Sequence, residues 1–413
     1  MEIAARAEPA DPSLPREERD EASGVRTRRY LPRGPWARFS HGRASSPRRG
    51  PAARLAGDLG RPLERLLKAV AWPLHVRGWW AALRAELPPA DLYHACGILT
   101  IGVALELAAD ARRAGRAGRV VYDVIDVILE SNNVAGLPRP LVAWYARRER
   151  DWVRRSDAVV TVNEPIARHL AASWPVRERP TVLLNCQPRW SPPEPRPDLI
   201  RAATGLPPER RIVLWLGRLG RERGLEEAAE AVLALPDAAL VLLGFGPWAD
   251  RLRERDRDPR FAGRHVTLPA VHPDEVPAWT ASADATIIAV PANSLNQRLS
   301  TPNKFWESLT AGTPIVIGRD LEVMRGILEE ERIGAVADPS DAADLARALA
   351  GILGQSPEAY RAMRERCRRA AEERYSWEAA VPPYLALVER LVPPAAPDAG
   401  QAADDAGSPA RRA

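Results

Sequence analysis

From Arg211 to Leu353 the chain alternates short apolar runs with helical patterns, and this alternation restricts the possible folds more than any other feature. The apolar runs are IVLWL, ALVLL, HVTLP, ATIIAV, PIVIG and GAVAD. Between them lie GLEEAAEAVLAL, PWADRLRER, PDEVPAWTASA, PNKFWESLTAG and LEVMRGILEE, and DAADLARALAGIL closes the series. Strands that are apolar on both faces need cover on both faces, and helical crossovers join parallel neighbours. The segment is therefore expected to be an α/β unit on a parallel sheet. From Ala90 to Leu184 the same order recurs in ADLYHA, ALELAADARRAG, RVVYDVIDV, LVAWYARRERDWVRR, AVVTV and TVLLN. Two such units within 413 residues fit the usual domain size.

The proline-rich QPRWSPPEPRPD between the units reads as a linker. The resulting division is 1–190, a linker over 191–208, a second unit over 209–375, a final helix over 376–392 carrying YSWEAAVPPYLALVERLV, and a low-complexity tail over 393–413 expected to be disordered. A doubly wound domain should open on a strand, a tight glycine loop and a helix. This chain opens instead on EIAARA and then charged, Pro- and Arg-rich sequence through Gly50, with GVRTRRYL as a short strand. The expectation is that EIAARA ends a strand already inside the sheet and that the first βα unit is missing from the chain as given.

Apolar residues at 46% and charged residues at 27% fit a water-soluble body, and a net charge of +5 over this surface does not point to nucleic acid. Cys96, Cys186 and Cys367 are far apart without a C-x-x-C pair, which fits neither a disulfide framework nor a zinc site. No signal peptide and no membrane-length apolar run is evident, so the chain reads as cytoplasmic. RPLERLLKAVAWPLHVRGWWAALRAEL is basic, Trp-rich and loosely amphipathic. It reads either as a peripheral contact with an anionic membrane or as helix packed on a sheet.

Lysine occurs only at Lys68 and Lys304, so arginine carries nearly all the positive charge and a lysine is the more informative residue. In STPNKFWESLTAG, Thr301 is expected to N-cap a helix with Pro302 at its first position and Gly312 as its terminating glycine. A helix start offers free N–H groups to an anion, and Lys304 in the first turn opposes the helix dipole unless an anion is present. Glu307 follows on the same face, while Phe305 and Leu309 point to the core. In VLWLGRLGRERGLEEAAEAV, a strand ends at Gly217, a loop carries Arg218 and Arg223, and a helix begins near Gly224. Ligands in such sheets sit beyond the strands' carboxyl ends, where guanidiniums suit a diphosphate and equally serve as ordinary loop arginines. LLGFGP places Gly244 and Gly246 after another strand, where tight turning and ligand contact are both open readings. Asp256 and Asp258 in RLRERDRDPR read as a solvated charge run rather than a metal site.

Together GRLGRERGL, LVLLGFGP, LPAVHPDEVPAWTASADATI, SLNQRLSTPNKFWESLTAGTPIV and IGAVADPSDAADLARAL resemble the nucleotide-sugar-binding half of family 4 glycosyltransferases, in the subgroup with a Pro-Asn-Lys-x-x-Glu segment. The resemblance implies a GT-B fold, with two Rossmann-like doubly wound domains and a cleft between them, and retaining transfer of a sugar from a nucleotide-sugar donor. The implied acceptor is a glycan or lipid-linked molecule of the cell envelope, and no metal or cofactor is needed. It places Arg218, Arg223 and Lys304 on the donor diphosphate, Glu307 on the ribose, and Val271 against the base. Gly217, Gly244, Gly246, Asn296, Ser300, Thr301 and Asn303 line the nucleotide-sugar pocket, with His94, Asp123 and Asp126 on the acceptor side. The sequence departs from the family at Leu299, where a glutamate is usual, and at Ile125, where a histidine is usual. Ile125 admits a second reading, a scaffold subunit that binds nucleotide sugar and supports a partner transferase. An epimerase would need acid/base pairs that find no place here.

Overall fold

The computed structural model describes residues 1–6, 15–21, 23–30, 70, 76–221 and 223–393. The opening segment forms a small sheet of its own. β1 (Glu2–Arg6) runs parallel to β3 (Arg26–Tyr30), and β2 (Glu17–Arg19) is antiparallel on β3's other edge. EIAARA is thus a strand, but it pairs within this three-stranded sheet and not with the larger sheets. GVRTRRYL does supply a strand, as its alternating polar and β-branched residues suggest.

The helix over 76–86 (α1) leads into a four-stranded parallel sheet of β4 (Leu92–Cys96), β5 (Arg119–Val124), β6 (Ala158–Thr161) and β7 (Thr181–Val182), ordered as in the chain. Its crossovers are α2 (Ile101–Arg113), α3 (Arg139–Arg155) and α4 (Glu164–Ser173). Asn163 caps α4, its side-chain oxygen accepting from the Ile166 N–H at 3.0 Å. α1 buries Val76, Trp79, Ala82 and Leu83, and the last three pack in a cluster with Val103 and Leu107 of α2. The described part of the Trp-rich segment therefore spends its apolar face on packing; 61–69 and 71–75 lie outside the described residues.

The second unit is a six-stranded, all-parallel sheet. Its strands are β8 (Arg211–Arg218), β9 (Ala238–Phe245), β10 (His265–Pro269), β11 (Ala285–Ile288), β12 (Ile315–Gly318) and β13 (Gly334–Ala337), in spatial order β10-β9-β8-β11-β12-β13. Nearly every residue of β8, β9, β11 and β12 is buried, as continuous apolar strands require when both faces are covered. The flanking helices are α5 (Leu199–Thr204), α6 (Leu225–Leu233), α7 (Ala249–Arg255), α8 (Val276–Ala281), α9 (Leu295–Leu299), α10 (Asn303–Thr310), α11 (Glu322–Glu331), α12 (Ala342–Leu353) and α13 (Pro357–Glu373). One core packs α6 and α12 on one face. A second holds Phe305, Trp306 and Leu309 of α10 with Ile315 and Ile317 of β12 on the other. Chain order reverses between β8 and β11, so the crevice beyond their carboxyl ends is the position where open α/β sheets bind ligands.

After α13, α14 (Trp377–Ala380) and α15 (Pro382–Leu391) return to the first unit, where Leu387 packs on Val121 and Val160. The segment read as a linker is fastened to the second unit. The Arg196 guanidinium donates to the Ala281 and Ala283 carbonyls, and the Leu199 N–H donates to Ser282 Oγ at 3.1 Å. The tail, apart from Pro393, lies outside the described residues.

Candidate functional site

Three backbone features shape the crevice beside β8. Gly217, the penultimate residue of β8, has φ 109°, which only glycine adopts without strain. A Cβ on Gly244 would sit 1.8 Å from the Gly217 carbonyl oxygen, so the approach of β9 to β8 here requires glycine at 244. Gly224, the N-cap of α6 at φ 69°, presses on β11's end, where a Cβ would meet the Ala289 carbonyl oxygen at 1.8 Å. The loop with Arg218 and Arg223 is thus held between β9 and β11 by glycine contacts. Gly224→Ala is expected to lower stability by about 3 kcal/mol through this clash and the left-handed backbone, read as a lower urea midpoint, whereas Gly220→Ala, which meets open space, should not.

α10 supplies the other wall. It begins at Asn303, with Pro302 in the N-cap position and no side-chain cap, one residue later than the sequence suggests. Thr301 does not cap it: it is buried, and its hydroxyl donates to Asn185 Oδ1 at 3.4 Å. Asn185 also donates to the Thr301 carbonyl and to Asn303 Oδ1, both at 3.0 Å, and accepts from Trp306 Nε1 at 3.1 Å. It fixes the start of α10. Phe305 and Leu309 are fully buried as their spacing implies, and Gly312 terminates the helix at φ 64°.

Lys304 projects from this first turn across the crevice, its Nζ 4.0 Å from the centre of the buried Trp215 ring of β8. Burial pushes the Lys304 ammonium down to about 7; the Arg223 charge adds to this and Glu307 opposes it. Burial raises the Glu307 carboxyl to about 6 against the pull of Lys304. Lys304, Glu307 and Arg223 therefore share one electrostatic environment. Arg218 lies exposed at β8's end with no hydrogen bond or ion pair to the described residues. A cation cluster with an uncommitted guanidinium, at a helix start and a sheet's reversal point, can hold an anion.

The other expected donor-site residues are placed as follows. Gly246 adopts φ 145° over the Leu219 carbonyl, and Val271 is partly buried beyond β10 against the β8 and β9 core. Ser300 donates to the Gln297 carbonyl at 3.2 Å, and Asn303 is occupied by Asn185. Asn296 turns to the first unit: its amide donates to Asp126 Oδ1 at 2.9 Å, and its oxygen accepts from the Val127 N–H at 2.7 Å. α9 is a latch between the units. Asn163 donates to the Leu299 carbonyl at 2.7 Å, and Leu299 itself is buried in the first unit's core. The apolar residue at the family's glutamate position is thus used for packing.

His94 and Asp123 meet directly, His94 Nε2 lying 3.0 Å from Asp123 Oδ2 and Nδ1 2.7 Å from the hydroxyl of Tyr384 on α15. Burial works against the charged imidazole, but the Asp123 carboxylate and Cys96 outweigh it and hold His94 up at about 11. Ile125, 43% exposed, carries no polar group into the region. Asp256 is not a solvated charge: it accepts from the Thr267 N–H and hydroxyl, each at 3.0 Å, and lies 2.6 Å from the buried His265 Nδ1. Asp258 accepts from Arg260.

Sequence reasoning missed Trp215, Asn185 and Tyr384. The first was hidden inside an apolar run. The second lies in TVLLN, which signals only a strand end, and the third sits on a helix whose docking face the pattern leaves open. α9 was missed although Ser294-x-x-Gln297 is a capping pattern, realised as the Gln297 N–H donating to Ser294 Oγ at 3.3 Å.

Residues 197–374 match the family described as Glycosyl transferases group 1. This stretch is a group 1 glycosyltransferase domain. The chain is 29% identical over 188 residues to a lipopolysaccharide core biosynthesis glycosyltransferase, LpsE, of Rhizobium meliloti, a match covering 46% of this chain and 52% of that one. It is 27% identical over 176 residues to a GDP-mannose-dependent phosphatidylinositol monomannoside mannosyltransferase of Mycolicibacterium smegmatis, covering 41% and 45%. These matches span about half the length of the curated relatives. In structure it is similar to a sucrose-phosphate synthase of Thermosynechococcus elongatus, with TM-score 0.64, 19% identity and coverage of 94% of this chain and 88% of that one. It is also similar to Anabaena HepE in complex with UDP and glucose, with TM-score 0.58, 16% identity and coverage of 77% and 81%. The described residues from β4 onward thus have the GT-B fold, two α/β units with the group 1 domain second. Among the described residues no helix is long and apolar enough to cross a membrane.

Proposed function

We propose that this protein is a retaining, family 4-like glycosyltransferase that moves a sugar from a nucleotide-sugar donor to a glycan or lipid-linked acceptor in envelope polysaccharide or glycolipid assembly. The observation that carries the reading is Lys304, held over Trp215 in one electrostatic environment with Arg223 and Glu307, at the sheet's reversal point inside a group 1 domain. Named functions of the relatives support the acceptor class, since LpsE acts in lipopolysaccharide core biosynthesis and the mycobacterial protein on a phosphatidylinositol mannoside.

When the sugar C1–O bond to phosphate breaks, negative charge grows on the diphosphate and positive charge on the sugar ring. Lys304, Arg223 and Arg218, with the N–H groups opening α10, are suited to stabilise the first, so no metal need serve the donor. Glu307, one turn on, is suited to accept from ribose hydroxyls. Attack from the leaving-group face forms the new C1–O bond, and the departing phosphate takes the acceptor hydroxyl's proton. In a thermal-shift panel, UDP, GDP or one of their sugars is expected to raise Tm. Arg218→Ala and Glu307→Ala are each expected to remove the rise without lowering the ligand-free Tm by more than a degree or two. If no nucleotide shifts the protein, the proposal fails.

A further inference from the structure

In the first unit, β4 and β5 bring three different metal-binding side chains together. The paired strands place Cys96 opposite Asp123, and strand alternation sets His94 and Cys96 on one face. Their ligating atoms all lie within 4.8 Å of one another: His94 Nε2 is 3.0 Å and Cys96 Sγ 4.0 Å from Asp123 Oδ2. Nitrogen, thiolate and carboxylate ligands around a tetrahedral zinc lie about 3.3 to 3.7 Å from one another. The His94–Asp123 separation falls below that range and the Cys96–Asp123 separation above it, so closure onto a metal falls to the exposed Cys96 side chain. The second nitrogen of His94 is already oriented. Its Nδ1 lies 2.7 Å from Tyr384 Oη, and the two rings meet edge to face with centroids 5.4 Å apart. An outer-shell partner of this kind keeps a proton on Nδ1, so Nε2, which now lies against Asp123, is the nitrogen that ligates once its own proton leaves.

We propose that His94, Cys96 and Asp123 form a binding site for one divalent transition metal of the zinc class, with Tyr384 as the positioning residue for His94. The nitrogen, sulfur and oxygen donor set favours zinc over magnesium or calcium, and three protein ligands leave the fourth position to water. On binding, the Cys96 thiol and the His94 ring each release a proton to solvent, and bonds form to Sγ, Nε2 and a carboxylate oxygen. The metal would join β4 to β5 and, through His94 and Tyr384, to the helix returning from the group 1 domain. The site shares no residue with the Lys304, Arg223, Arg218 and Glu307 set, so failure of either proposal leaves the other standing.

The test is cobalt(II) titration of the tag-free full chain under reducing conditions. One equivalent is expected to produce a near-ultraviolet thiolate-to-cobalt band with tetrahedral visible bands, all bleached by zinc. Cys96→Ser is expected to abolish the thiolate band, His94→Ala to weaken binding at least tenfold, and Tyr384→Phe to weaken it by about tenfold. The other two cysteines are buried, so the band reports Cys96. Circular dichroism on each variant separates loss of ligand from loss of fold, and Cys96→Ser, at an exposed position, is expected to stay folded. Absence of the band in the wild-type chain, or its survival in Cys96→Ser, would overturn the proposal.

Discussion

Affinity for a nucleotide sugar is expected to be highest between about pH 6 and pH 7 and to fall on both sides. Lys304 attracts a diphosphate only as the ammonium, which burial and the neighbouring Arg223 make easy to lose above about 7. A bound diphosphate stabilises the charged form, so binding takes up a proton and weakens as pH rises, by up to tenfold per unit beyond that point. Glu307 accepts from hydroxyls most strongly as the carboxylate, which its raised value of about 6 removes on the acid side. Lys304→Met is expected to cost about 100-fold in affinity at pH 6.5, since a charge-assisted contact is lost, and to flatten the alkaline limb. Glu307→Gln should flatten the acid limb instead. Isothermal titration in two buffers of different ionisation enthalpy measures affinity and proton uptake together. A profile unchanged in Lys304→Met would separate this lysine from the phosphates.

The largest effect on stability is expected from Trp306→Ala. Trp306 is fully buried among Phe305, Ile315 and Tyr375, and its indole N–H donates to Asn185. Truncation empties the largest volume on α10 and leaves an asparagine oxygen short of a donor. The expected cost is about 4 kcal/mol, read from urea unfolding followed by far-ultraviolet circular dichroism. Because Trp306 adjoins Phe305 and follows Lys304 by two residues, nucleotide affinity should fall as well. Trp306→Phe, which keeps most of the volume, should recover much of the stability.

Much of the second unit was legible because its strands are buried on both faces and its helices are amphipathic, so apolar periodicity and burial coincide from IVLWL to PIVIG. The candidate-site wall formed by α10 was legible through one rare lysine placed against a helix dipole. What stayed hidden depends on contacts between residues far apart in the chain. Thr301 has the composition of a cap, but the demands of Asn185 turn it aside, 116 residues away in sequence. Asn296 sits among donor-site neighbours in the sequence, yet its amide is used by Asp126, 170 residues away. The three-stranded opening sheet was beyond local pattern reading, since strand composition indicates pairing without naming the partner.

The α9 latch has a mechanical consequence. Leu299 is anchored in one lobe, and three residues separate it from Asn303, where α10 begins. A span that short cannot absorb much motion, so if the lobes part, either the Asn163 and Asn296 hydrogen bonds break or the start of α10 is dragged along. Under the proposed function, substrate entry and the hold on the phosphates would then share one lever.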